Sequence, residues 1–401
     1  MGKSTNKDHI KKALNKLPNV NKWQAKFIPS ILILFMSIKG RINFLQLARY
    51  GDHPEQYYRN QFNKSFDFLS FNKNLVLEHA SKHLTIAFDP SYISKSGKAT
   101  AGLGYFWSGC AGKTKRGLEI GGIAVIDIDN HTAFHLEAVQ TSNIKQEISL
   151  LMQYTNTIVE RKDTLKSISK YIIADAYFSK EPCISKLCNN NFHVVSRLRN
   201  DANLRFKYKG KQKGGKGRPK TLDGKIDYKD LNSSKFKTLE ESDECKIYNA
   251  IVNSKSLKRD INLVIVYTCK HSKWTHKLYF STDLKLSGEL VLEYYRSRFQ
   301  IEFLYRDGKQ FTGLNSCQAR AANKLHFHFN ASLTAINIAK ISHWLPVPKD
   351  ERRAFSMSDI KTMYYNDLLL DRFISMFGLS PYISKNRNII MKLREYGKIS
   401  A

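Results

Sequence analysis

Acidic residues are scarce in this sequence. Asp and Glu number 35 against 65 Lys and Arg, which leaves a formal net charge of +30. Solubility needs far less than this, so the imbalance points to a polyanionic partner, with nucleic acid the first expectation. Binding to such a partner weakens steeply as salt rises, because each neutralised phosphate releases condensed counterions. Cysteine is sparse as well: residues 110, 183, 188, 245, 269 and 317 are scattered along 401 residues. A chain of that length builds its core without staples, and Cys183 with Cys188 has no second close pair to complete a zinc site. Reduced thiols in a cytoplasm are the expectation. The apolar run Phe27–Met36 is ten residues long, contains Pro29, and is too short to cross a membrane. Met1–Asn21 is polar and Lys-rich with no apolar segment of a secretory signal. Gly102, Gly104, Gly109 and Gly112 lack the Lys-Ser/Thr that would make a phosphate-cradling loop. No internal repeat is visible.

What is present describes a large folded chain. Hydrophobic residues at 42% and aromatics at 12% exclude a disordered or collagen-like polymer, and the length suggests two or three domains. Residues 1–83 read as helical, with apolar positions at near-helical spacing and no alternating strand. From Leu84 the texture changes. Leu84–Phe88 reads as a short strand ending on Asp89-Pro90. Ile120–Ile128 and Thr132–Val139 read as two more strands joined at Asp129-Asn130. Ile144–Arg161 is expected to be helical, Tyr171–Ala174 a buried strand ending on Asp175, Ser179–Asn190 a helix and Phe192–Arg197 a strand. This order predicts an α/β fold: a mixed five-stranded sheet flanked by helices, over residues 84–199. Residues 200–282 read as a basic loop followed by a β-rich insertion. The core is then expected to resume over 283–345, beginning with one long helix across Gly288–Gln310, and 346–401 form a helical C-terminal region.

Two strand-end aspartates are placed where α/β sheets collect ligands. The more informative segment is Tyr295-Arg298-Glu302-Lys309. On a single helix at 100° per residue, these four share one narrow arc, yet apolar side chains surround the rest of that helix. A charged stripe on a largely buried helix needs partners or a metal. Three carboxylates converging from two strand ends and one helix suit hard divalent cations and phosphoryl transfer. Arg298 and Lys309 beside them suit phosphates.

The spacing Tyr295-x2-Arg298-x3-Glu302-x6-Lys309 resembles the YREK signature of the bacterial insertion-sequence transposases grouped as family four. The blocks Ala87-Phe88-Asp89 and Ile173-Ala174-Asp175-Ala176-Tyr177-Phe178 are similar to the same family, although Pro90 and Ser91 stand where a second Asp is common. The resemblance implies an RNase H-like core interrupted by a β insertion. It also implies metal ligation by Asp89, Asp175 and Glu302, with two Mg²⁺ or Mn²⁺ ions. Tyr295, Arg298 and Lys309 would then grip the DNA end. Further expectations are double-stranded DNA partners (terminal inverted repeats and target), a homodimer in the synaptic complex, and a helical N-terminal region that binds the ends. Trp274, the only Trp of the insertion, is the candidate to hold a flipped base. Arg218 and Lys220, in Lys216-Gly217-Arg218-Pro219-Lys220, are candidates for a minor-groove contact. Two other readings are open: an RNase H-fold nuclease without strand transfer, and a non-catalytic DNA-binding derivative.

Overall fold

The computed structural model describes residues 2–141, 148–212, 218–231, 233–378, 380 and 384–399. The N-terminal region is helical, as its spacing predicts: α1 (Gly2–Asn15), α2 (Lys22–Ser37), α3 (Phe44–Tyr50), α4 (Glu55–Gln61) and α5 (Phe68–His79). Local chemistry sets their starts. Asn21 and Gln24 form a reciprocal capping box on α2, and the Asp67 side chain accepts from Ser70 N–H at the start of α5.

The central elements follow as β1 (Leu84–Ser94), β2 (Gly104–Ser108), β3 (Lys113–Asp127), β4 (Thr132–Gln140), α6 (Leu150–Val159), α7 (Lys162–Lys166), β5 (Tyr171–Ile173), α8 (Glu181–Asn189) and β6 (His193–Leu198). Five strands lie in the order β4-β3-β1-β5-β6. Strand β3 is antiparallel to β1 and to β4, while β1, β5 and β6 run parallel. This is the expected mixed sheet with helices packed on it, an RNase H-like arrangement. Part of the predicted helix 144–161 lies outside the described residues, and its described part begins at Leu150.

The sheet does not stop at five strands. Beyond β6 come β7 (Leu204–Lys207), β8 (Leu222–Lys225), β9 (Lys237–Glu241), β10 (Cys245–Ser254), β11 (Arg259–Lys270) and β12 (Lys273–Ser281). Strand β12 pairs antiparallel with β6, from Leu278↔Leu198 to Ser281↔Val195. The insertion therefore continues the core sheet, which reaches twelve strands. The physical reason is edge pairing: β6 would otherwise present open N–H and C=O groups. The basic stretch after Arg199 also contains strands, β7 and β8, where a loop is expected from composition.

Strand β1 corrects a second expectation. It runs through Asp89 to Ser94, in register with β3 from Leu84↔Asp127 to Ser94↔Gly117. Its pairing with β5 covers only Ile86 and Ala87. Past that point β1 has a partner on one side alone, where Pro90 costs no ladder bond. Asp89 is thus a mid-strand residue beside the end of β5.

The chain then returns to helix: α9 (Gly288–Ser297), α10 (Gln300–Gln310), α11 (Ala322–His343), α12 (Met357–Met376) and α13 (Ser384–Glu395). Helix α11 is apolar and polar all round and buried from Phe327 to Ile341, packed between β4 and α2. Helix α12 packs on α2, which brings the two terminal regions together. Among the described residues, no helix is long and apolar enough to cross a membrane.

Candidate active site

The expected single helix over Gly288–Gln310 is two helices with a tight turn between them. The N–H groups of Arg298, Phe299, Ile301 and Glu302 each bond to the carbonyl three residues back, at 3.0–3.4 Å. Such a 3₁₀-type step overwinds the chain, so the arc reckoned on one continuous helix does not describe the site. The side chains nevertheless meet. Arg298 Nη2 donates to Glu302 Oε1 at 3.0 Å, and Arg298 Nη1 lies 3.6 Å from Asp89 Oδ1. The part-buried guanidinium bridges two of the three expected carboxylates.

Asp175 follows β5 and caps the short turn Ala176–Phe178, with Oδ1 accepting from Ala176 N–H at 2.6 Å. Its backbone carbonyl accepts from the Ser196 hydroxyl on β6 at 3.1 Å. Because β1 and β5 run parallel with Ala87 opposite Ile173, Asp89 within β1 and Asp175 just past the end of β5 lie two residues further along and come side by side.

Electrostatics registers the crowding. Burial pushes the Asp89 carboxyl up to about 7; Arg298 offsets part of this, while Glu302 and Asp175 raise it further. Burial works against the charge of Arg298, but Asp89, Asp175, Tyr295 and Glu302 together raise its pKa. Lys309 is lowered by burial, and Cys110 and Asp89 counteract this in part. Burial and then Asp175 raise the Tyr295 phenol, whose ring packs on Tyr279 with centroids 5.0 Å apart. The cluster is short of positive charge around Asp89 and has more anions than one arginine balances.

Three supporting residues were not visible in the sequence pattern. The Tyr305 hydroxyl donates to the Asp89 backbone carbonyl at 2.6 Å. Gly122 opposes Asp89 on β3, and a Cβ there would stand 1.9 Å from the Tyr305 oxygen. Glycine at 122 makes room for the tyrosine that anchors Asp89. Arg197, on β6, acts electrostatically on Tyr295, and its Nε is buried without a hydrogen-bond partner. A guanidinium nitrogen left unpaired near Tyr295 suits an anionic ligand.

Six of the nine predicted residues thus converge: Asp89, Asp175, Glu302, Tyr295, Arg298 and Lys309. The other three stand elsewhere. Lys216 and Gly217 lie outside the described residues. Arg218 is exposed, and Lys220 pairs with Asp223 at 3.0 Å and lies over the Tyr208 ring. Trp274 is 42% exposed near the turn of the β11–β12 hairpin, with Lys246 over its ring. It is not a core residue. Its strand runs toward β6 from beyond the end at which Leu198 pairs Leu278, which is the side of the sheet where Asp175 emerges.

The family model described as the transposase DDE domain matches residues 82–338, well over half of the chain. The chain belongs to the DDE transposases. It is accordingly an enzyme of DNA transposition, in a family that works with divalent metal ions. The matched span holds β1, β5 and α10, the three elements that carry the clustered carboxylates. No curated protein matches the transposase. A solved structure similar to it is the cryo-EM structure of the piggyBac transposase synaptic complex with hairpin DNA. That likeness has 12% identity and a TM-score of 0.40, over 92% of this chain and 75% of that one.

Proposed function

We propose that this DDE transposase cuts and rejoins DNA at the cluster of Asp89, Asp175 and Glu302, in the manner of the insertion-sequence family with the YREK signature. The observation that carries the reading is the Arg298 bridge between Asp89 and Glu302, in a site where Asp89 is pushed up to about 7 by burial and neighbouring carboxylates.

The donor set fits Mg²⁺ or Mn²⁺ in kind, being three carboxylates without thiolate or imidazole. Among the described residues, no three His, Cys, Asp or Glu side chains stand close enough to hold a metal ion as they are. Arg298 supplies positive charge between two of them instead. Asp89, Asp175 and Glu302 are the residues that would hold the metal, with Arg298 turning from Asp89 to a DNA phosphate. Two divalent ions, when bound, activate the attacking oxygen and stabilise the leaving oxygen of an in-line displacement.

The chain's own residues supply the rest. Tyr305 and Gly122 fix the backbone at Asp89. Arg298 offers a bidentate fork and Lys309 a point charge to phosphates, with Arg197 a further donor. Tyr295 orients the strand. Water attacks first, and the freed DNA 3′-hydroxyl attacks the target later, so no protein nucleophile is required. The terminal helices complete the reading as an end-binding and end-pairing region of a homodimer.

The test is direct. Labelled DNA carrying the inverted repeats that flank the gene is incubated with the protein and Mg²⁺ or Mn²⁺. Cleaved and joined products are expected. Cleavage without joining would turn the reading to a nuclease, and unchanged processing by Glu302→Ala would overturn the site.

A further inference from the structure

Between Pro90 and Leu118 the chain has no acidic residue, but it has Lys95, Lys98, Lys113, Lys115 and Arg116. This segment forms a wing: the distal part of β1, the strand β2, and the first half of β3. Strand β2 alternates in burial, so Tyr105 and Trp107 emerge from the same face, 69% and 62% exposed. They pair across the ladder with Arg116 and Thr114. A cavity of about 740 Å³ adjoins the wing; its charged lining is Arg41, Lys95, Lys115, Arg116 and Arg320, with no carboxylate. The wing also reaches the site described above. Cys110, in the turn between β2 and β3, is close enough to Lys309 to raise its pKa.

Two large aromatic faces in water are costly unless a ligand covers them. Charge decides what that ligand is: a surface with five cations and no acid repels a basic copy of the same +30 chain and attracts a polyanion. A duplex offers phosphates but hides the faces of its bases. Only unpaired bases meet both features, stacking on alternate aromatics of a strand while the backbone lies along cations. We infer that the β1–β3 wing is a binding surface for unpaired DNA beside the active site, with Tyr105 and Trp107 as the stacking platform and the cationic cavity as the phosphate seat. It is separate from the insertion and from Trp274. The inference rests on the chain being a DNA-processing transposase, but not on which carboxylates hold metal.

The test uses the full chain and two probes of arbitrary sequence: a blunt duplex, and the same duplex with a single-stranded tail containing 2-aminopurine. Tyr105→Ala/Trp107→Ala is expected to weaken binding of the tailed probe by about fivefold to a hundredfold, with little change for the blunt duplex. Wild type should quench the 2-aminopurine and the variant should not, while Trp107→Phe keeps most of both effects. Equal losses on the two probes, or quenching unchanged in the variant, would overturn the proposal. Unfolding temperature and oligomeric state serve as controls, and a double variant altered in either is replaced by Tyr105→Ala and Trp107→Ala read singly. Failure here with Glu302-dependent cleavage intact removes only the wing. Loss of cleavage from the wild type itself removes the reading of the active site.

Discussion

Two regions of the molecule, a front at the carboxylate cluster and a back at the edge of β4, both bury polar groups, and they do so in opposite ways. On the back, α11 lies along the outer edge of β4. Asn330 accepts from Ala138 N–H at 2.8 Å and donates to Ala138 C=O at 3.0 Å. Two turns along, Asn337 accepts from His135 N–H and donates to His135 C=O, each at 2.8 Å. The side-chain amides take the place of a missing neighbour strand. Asn72 from α5 joins them through Leu136 C=O and Thr334, and Lys340 Nζ donates to Ala133 C=O at 2.7 Å. His135 is buried against Asn330 and held well below its usual pKa by burial. On the front, Asp89, Asp175 and Glu302 share one principal arginine, and Arg197 Nε has no hydrogen-bond partner. Burial with the amides and the lysine paired to backbone builds the fold. Burial with charge left over marks the place where a ligand completes it.

That contrast breaks most sharply at Glu302. Glu302→Ala is expected to lower DNA cleavage at least about a thousandfold, roughly 4 kcal/mol of transition-state stabilisation, while the unfolding midpoint hardly moves. A large loss of stability instead would make the front a structural cluster. On the back the signs reverse. Asn330→Ala strands His135 Nε2 and both backbone groups of Ala138, and should cost about 4 kcal/mol in denaturant unfolding. A folded population of that variant should still cleave DNA.

A pH experiment sharpens the same division. Burial would raise Glu137, but hydrogen bonds from His326 and Arg161 outweigh it and hold the carboxyl at about 2, below its ordinary 4.5. Its folded pKa is depressed, so its stabilisation is complete above about pH 4.5 and is lost as pH falls toward 2, roughly 3 kcal/mol in all. Glu137→Gln should remove that acid-limb dependence in a chemical-denaturation series. Persistence of the slope would exclude the Arg161–Glu137–His326 group as its source. The smallest effect lies at the join between the two regions. Tyr305→Phe loses one hydrogen bond to the Asp89 carbonyl, about 1 kcal/mol, and is expected to lower kcat more than it raises KM. Equal stability and activity to wild type would show that Asp89 needs no such anchor.

Much of this architecture was legible in one dimension. The strands at 84, 120, 132, 171 and 192 announce themselves by apolar runs between turn residues. The spacing of Tyr295, Arg298, Glu302 and Lys309 survives even though its helix is interrupted, since a 3₁₀ step shifts the phase without sending a side chain to the far face. Less legible was anything that depends on which strand lies beside which. Asp89 looked like a strand end because Pro90 follows it; only the early departure of β5 explains how a proline sits within a paired strand. The insertion looked separate because nothing local says that β12 will dock on β6.

The sequence by itself determined the excess of positive charge, the order of helices and strands, and the residue types and spacings of the proposed phosphoryl-transfer site. Those are properties of composition and of short-range periodicity. Tertiary structure alone decided that Arg298 bridges Asp89 and Glu302, that Gly122 yields space to Tyr305, and that Asn330 and Asn337 cap an open strand edge. It also set Tyr105 and Trp107 side by side in water on a strand without acids. Apart from the neighbours Tyr105 and Trp107 and the local Arg298–Glu302 pair, these are contacts between residues far apart along the chain, and their energy exists only once folding has brought them together.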